Sequence, residues 1–554
     1  MTLVAAPGCQ GDDADGGGDD EVGEDNGEDA DGTTDGTDEG TGEEGGDDFI
    51  PPHGGMRRML DHQYVNSIGY MFGDEAQAVA DPPGDLALHG YDAIGAAEIA
   101  PGLDLVELYE TSALEIGDAV VANPGRLASF VPCVTESPGQ ACYTDIAQTL
   151  GHIAWRRPLT DAEVSEIVDI ALEAEEWGEG DFNAGLKYEL VRILLSPNFI
   201  YVKEVGVQDA NEPEEFWLTG PEMVTRVSLL INGRIPSLAT LESAEAGNYD
   251  SVDAIEDFAR ALLADPSAPD AISEFFGEYL DLRIPGKNLD AFPNYSEALA
   301  DSMLQETDML LRHVIWEADT DWRTFYDADF TFIDQNLADL YGMAAPEEPF
   351  GQVELPADQN RAGFLTQGTF LARNAHADGN STTRRGHYIQ ERMLCFTIPP
   401  PPPDVNPNIP EIPEGEQMTL REVMEQIHLE EESCASCHKD MDPLGFVLEN
   451  FDALGQWRTE DNGLPIDSVV DYGDWGTMSN GVDLATNVAM DPRTTQCLVN
   501  NIIRFGRGSL EDFNNESDEI LELYADFETA NFRVKELLVS FVTSELFRQV
   551  GEPK

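Results

Sequence analysis

Beyond residue 49, apolar residues recur mostly every three to four positions, and strict alternation is rare. After Thr160, the residues Val164, Ile167, Val168 and Ala171 share one helical face. After Thr219, Met223, Val227 and Leu230 do the same. This is the period of an amphipathic helix, not that of a strand. Thr160 with Glu163, Thr219 with Glu222 and Thr419 with Glu422 have capping-box spacing, in which two side chains satisfy the orphan amides of a helix start. Gly233 is placed to stop the second of these helices. Residues 253–264 and 302–316 predict two further amphipathic helices. Asp467–Tyr472 is one of the few stretches that predict a strand. The pattern describes a mainly α, multi-module helical protein without a solenoid repeat. It breaks near 206–215, 345–358 and 398–416. The last break contains Pro399 to Pro403 without interruption, which predicts an extended polyproline segment, read as a stiff spacer in preference to a docking site for a partner.

The N-terminal pattern is different. Residues 10–48 hold 18 acids, no Lys or Arg, and almost nothing apolar. Such a segment cannot bury enough surface to offset its chain entropy, so it predicts a disordered, acidic, Gly-rich tether. Before it, Met1 to Cys9 ends in small residues leading to a cysteine. This resembles the end of a bacterial lipoprotein signal whose start lies upstream, although Ala6 stands where leucine is usual. A lipid on Cys9 would anchor the protein without a span, and membrane association is expected only through it.

Composition changes the picture in one respect. The 554 residues carry 30 Lys and Arg against 108 Asp and Glu, a formal net charge of −78. Without the acids of residues 10–48 the remainder still carries −60. That excludes a general nucleic-acid binder, which needs clustered cations. It fits a body adapted to a saline setting, where salt screens self-repulsion; a merely acidic exported protein is the alternative. No run of about 18 apolar residues is present to span a bilayer. The length suggests three to five units at about 100–200 residues each.

The seven cysteines carry the sharpest chemistry. Cys434-Ala-Ser-Cys437-His438 is a C-x-x-C-H sequence, the attachment motif for c-type haem. Two thiols at that spacing add to the haem vinyl groups, and the next histidine reaches the iron from the proximal side. Composition predicts only about 0.001 chance occurrences. A zinc site would want a second pair of ligands at short spacing, and Cys395 and Cys497 are single and distant. A thioredoxin-like dithiol would want a strand–helix context, and here a helix-like segment precedes the motif. In an exported protein the remaining cysteines should pair: Cys133 with Cys142, and Cys395 with Cys497, although four cysteines allow three connectivities.

The motif neighbourhood, Cys434 to Arg458 with Met441-Asp-Pro-Leu-Gly445, resembles the planctomycete-type cytochrome C domain. Gly363 to Gln367, Thr383-Arg-Arg-Gly386, and Glu391 to Cys395 with the proline run resemble its first part. Arg57 to Asn66, Arg156-Arg-Pro-Leu-Thr160, residues 216–342, and Arg504-Phe-Gly-Arg507 resemble companion planctomycete-specific modules of unknown function. The expected order is a signal remnant at 1–9, the linker at 10–48, an N-terminal module at 55–125, helical modules at 126–205 and 215–345, a c-type haem domain at 350–460, and a C-terminal module at 461–554. What the resemblance implies is an exported haem-c protein of the periplasm or cell surface that transfers electrons to a redox partner it does not identify.

Within that domain, Cys434 and Cys437 are the expected thioether positions and His438 the proximal ligand, for one covalent haem c. The sixth ligand stays open among His376, Met478 or Met490, and His428; Met441 is too near His438 in sequence to reach the opposite face. Arg384, Arg385 and Arg458 are candidates for the haem propionates or for surface ion pairs. Met441–Gly445 reads as a turn packed on a haem edge. Two other functions remain open: a haem-dependent oxidoreductase or peroxidase, against which the single haem motif counts, and a surface scaffold with structural haem or none.

Overall fold

Each of the three capping boxes starts a helix. Thr160, Thr219 and Thr419 engage Glu163, Glu222 and Glu422 ahead of helices Asp161–Trp177, Gly220–Asn232 and Leu420–Val423. Gly233 ends the second with a left-handed φ of 60°, where a side chain would strain the backbone. The computed structural model describes residues 49–99, 102–213, 215–399, 416–428 and 432–553. Cys9, the acidic stretch 10–48 and all of the proline run after Pro399 lie outside the described residues.

The protein is mainly helical. In the first half, helices Leu103–Ala122, Gln140–Trp155, Asp161–Trp177 and Phe182–Leu194 pack around Tyr143, Ile146, Leu150, Leu186 and Leu190. Strand Gly55–Arg58 pairs antiparallel with Tyr201–Glu204 and ties the segment before this bundle to its end. Cys133 and Cys142 are joined, with Cα atoms 5.5 Å apart.

A second, larger core unites the rest. Helices Gly220–Asn232, Val252–Leu263, Ala268–Tyr279 and Glu297–Arg312 pack with the later helices Pro492–Arg507 and Val534–Thr543. Aromatic residues fill its centre: Trp322 stacks on Phe325 with ring centroids 4.7 Å apart, and Phe325 on Phe364 at 4.9 Å. Cys395 and Cys497 are joined across 102 residues, which fastens the candidate haem segment to the helix that follows it. Among the described residues no helix is long and apolar enough to cross a membrane.

Two local expectations need correction. The break at 345–358 contains a strand, Gly351–Glu354, paired with Phe330–Ile333. Its partner lies some twenty residues earlier, so the pairing is non-local and left no period of its own. Met441–Gly445 is not a turn. It belongs to helix Glu432–Phe446, with Pro443 inside it. Met441 and Leu444 continue into Val447 and Leu448 at helical spacing, all buried, and that apolar face outweighs the amide that proline removes.

Candidate functional site

The C-x-x-C-H sequence lies on helix Glu432–Phe446, which crosses helix Thr382–Tyr388 at unusually close range. A Cβ on Gly386 would stand 1.9 Å from the Met441 carbonyl oxygen. One on Gly445 would stand 2.0 Å from that of Thr382. The two glycines of the T-R-R-G and D-P-L-G sequences thus meet the opposite backbone directly, and this fixes how the helices present their side chains.

His438 is positioned by that crossing. Its Nδ1 lies 3.2 Å from both carboxylate oxygens of Asp442, one turn on, and 3.3 Å from Oγ1 of Thr383 on the crossing helix. Thr383 Oγ1 donates to Asp442 Oδ1 at 2.7 Å. The Asp442 side chain is fully buried, while that of His438 retains 21% exposure. A buried carboxylate takes donors, and in the tautomer with its proton on Nδ1 His438 would donate to Asp442. A ligating histidine commonly has this arrangement: one ring nitrogen held by a carboxylate, the other able to bind metal.

Cys437 is half-buried on a different face of the same helix and borders a cleft of about 560 Å³. The cleft is walled by Phe396, Tyr472 and Trp475, by Met441, and by Arg493. Arg493 lies over the Phe396 ring at 4.9 Å and pairs with Asp491 at 2.5 Å. The volume falls in the range of cofactor sites, about 300–1,000 Å³. The side chains of Cys434 and His428 lie outside the described residues. Cys395 and Cys497, being joined to each other, are not available to a zinc site built with the motif.

The arginines divide. Arg385 is fully buried and donates to the carbonyls of Leu448, Phe451 and Asp452 at 2.9–3.1 Å. Burial pulls its pKa down to about 10. It clamps the chain leaving the motif helix and is neither a propionate partner nor a surface ion pair. Arg458 is paired with Glu449 at 3.0 Å and Asp461 at 2.7 Å. Arg384 is exposed.

His376 lies in the loop after helix Gly368–Arg373, half-buried. Burial first, then the Arg384 charge, lower its pKa, which favours the neutral imidazole. Lys287 holds this loop. Its buried ammonium donates to the carbonyls of Ala372 at 2.7 Å and of Ala375 and His376 at 3.2 Å. Met478 is fully buried in the core, and Met490 is 63% exposed. Sequence reasoning passed over Asp442, Thr383 and Lys287. Asp442 was legible in principle, since His438 and Asp442 have the i, i+4 spacing of one helical face.

Residues 361–461 match PSCyt3, a protein of unknown function (DUF1588). Residues 218–343 match PSD4 (DUF1592) and residues 142–204 match PSD5 (DUF1595), each likewise described as a protein of unknown function. The chain therefore carries a planctomycete cytochrome segment and two planctomycete-specific segments. No curated protein and no solved structure matches it.

Proposed function

We propose that this chain, built on PSCyt3, PSD4 and PSD5 segments, is an exported c-type haem protein that transfers electrons to a redox partner. A lipid on Cys9 would hold it at the periplasmic or outer cell surface, with residues 10–48 as its tether. The observation that carries the reading is the C-x-x-C-H sequence, and the placement of His438 supports it: with Nδ1 against Asp442 and Thr383, Nε2 would be the nitrogen that binds iron.

The donor types, two thiols and an imidazole at C-x-x-C-H spacing, are those haem c takes. Cys434 and Cys437 would hold it through thioethers, His438 would bind iron, and His376 is the first candidate for the opposite side. Once bound, the group supplies a one-electron iron couple. The protein residues do the rest. Asp442 and Thr383 hold Nδ1 by contacts of 3.2 and 3.3 Å and so orient the ring. The close glycine crossing sets the motif helix against helix Thr382–Tyr388 and so brings Thr383 to His438. Phe396, Tyr472 and Trp475 stand among charged residues, Lys439, Asp440, Asp471, Asp474 and Arg493, in the lining of the cleft beside Cys437.

The test is expression in a host with haem-c maturation, followed by a reduced haemochrome spectrum on denatured protein. Covalent haem in the parent chain and none in Cys434→Ala is the expected result. A parent chain without covalent haem would overturn the proposal.

A further inference from the structure

A second cleft, of about 330 Å³, lies away from the motif helix. It forms where four stretches of chain meet: Met56 on the first strand, Trp155–Arg157 and Pro197–Lys203 in and after the helical bundle, and Thr219–Thr225 at the start of the next module. Its lining is mainly apolar, with Trp155, Pro197 and Pro221 below and the exposed side chains of Met56 and Val207 at the rim.

Its charge runs against the rest of the molecule. Arg156 is buried, and its guanidinium donates only to backbone oxygens: those of Ala154 at 3.0 Å, Asn198 and Tyr201 at 2.7 Å, and Phe199 at 3.3 Å. Among the described residues it has no carboxylate partner. Arg157 is balanced by Glu163 through contacts of 2.6 and 3.0 Å. Lys203 is exposed and forms no ion pair among the described residues. The single acid in the lining, Glu222, is already engaged. One of its oxygens accepts from the Val205 amide at 3.1 Å, the other from the Thr219 amide at 2.9 Å and hydroxyl at 2.8 Å. These neutral donors do not cancel the Glu222 charge, so Arg156 and Lys203 outweigh it by one positive charge in a chain of net charge −78. A concave, largely apolar site with one convergent charge, at a junction of modules, is a usual form for a small-ligand site. The acidic surface around it repels anions, while the cleft attracts them.

We propose that this cleft binds a small, singly charged organic anion with a ring-sized apolar body, its charge at Lys203 and its ring against Trp155 and Pro197. This is independent of the haem reading. The probe is the fluorescent aromatic sulfonate 1-anilinonaphthalene-8-sulfonate, titrated into the full chain. Lys203→Glu changes an exposed residue and should weaken dye binding about tenfold or more, as expected for reversing a charge within contact distance. Lys439→Glu, the same charge change at the cleft beside Cys437, should leave dye binding unaltered. Benzoate should displace the dye and benzyl alcohol should not. Equal binding by Lys203→Glu and the parent chain would overturn the proposal. Displacement by benzyl alcohol as readily as by benzoate would do the same, because the cleft would then be only apolar.

Discussion

At the scale of single residues, the molecule uses buried polar groups in two ways. Asp442 is buried and partnered; Glu189 is buried and has no hydrogen-bond partner for either carboxylate oxygen among the described residues. The first predicts a redox effect. In haem-loaded protein, Asp442→Asn should raise the midpoint potential, because a neutral amide pushes less electron density through His438 toward iron than a carboxylate does. Potentiometric titration checks this, and an unchanged or lowered potential would count against the Asp442 role. The second predicts a stability effect. Burial pushes the Glu189 pKa well above the usual carboxylate value. The folded state therefore holds a proton that the unfolded chain releases near pH 4–5. Stability from this source is full below that range and declines as pH rises toward the folded pKa. Glu189→Leu should raise stability by about 1–3 kcal/mol at pH 7 and flatten that decline, read by denaturant unfolding across pH. Glu189 was not legible as an anomaly in sequence. Helix Phe182–Leu194 reads well with a glutamate on its polar side, and only packing shows that this position faces the bundle.

At the scale of elements, the helix crossing at the motif is the most exacting contact. Gly386→Ala or Gly445→Ala would drive a methyl group into a carbonyl oxygen of the other helix, an obstacle that no rotamer change relieves. Each should destabilise the protein by about 3 kcal/mol, at the severe end of overpacking. Gly277→Ala is the contrasting change: Gly277 lies in helix Ala268–Tyr279, and a Cβ there meets nothing within 4 Å. It should stabilise by up to about 1 kcal/mol through helix propensity alone. Thermal melts of the three variants separate the cases, and equal melting temperatures would refute the crossing argument. The same contrast explains what sequence could show. Capping boxes and helical faces are local, and Thr160, Thr219 and Thr419 announced their helices. The glycine contacts join residues 386 with 441 and 382 with 445, so no local pattern marks them. Met441–Gly445 looked like a turn because proline and glycine are read locally, whereas the buried face through Val447 and Leu448 decides the conformation.

At the scale of the whole molecule, charge and burial act together. The chain has only 30 basic residues, and several are withdrawn from the surface: Arg57, Arg58, Arg156, Arg226, Arg361, Arg385, Arg507 and Lys287 are all buried. Arg507, for example, is paired with Glu516 at 2.7 Å with both side chains 1% exposed. Glu189, Glu204, Glu222, Glu306, Asp442, Glu449, Asp491 and Glu516 are buried too, so the surface keeps the chain's large negative charge, and its carboxylates far outnumber the cations able to pair with them. Their mutual repulsion is present in the compact state and relieved by unfolding. Salt at about 1 M shortens the screening length to about 3 Å and should remove most of that repulsion. The melting temperature should accordingly climb by several degrees between low salt and about 1 M sodium chloride, then level off. Sucrose, which stabilises by exclusion without screening, should not reproduce the levelling. The pH dependence has the same sign. Glu278 is pushed up to about 8, by burial first and then by the charges of Asp92, Asp85 and Glu274. A carboxyl raised in the folded state contributes stability below its unfolded pKa and loses it as pH rises through about 8. At low salt, stability should thus fall between pH 5 and 8, and high salt should reduce the part of that slope due to neighbouring charges while leaving the part due to burial. A melting temperature that is flat or falling with added sodium chloride would show that the acids are accommodated in some way other than by screening.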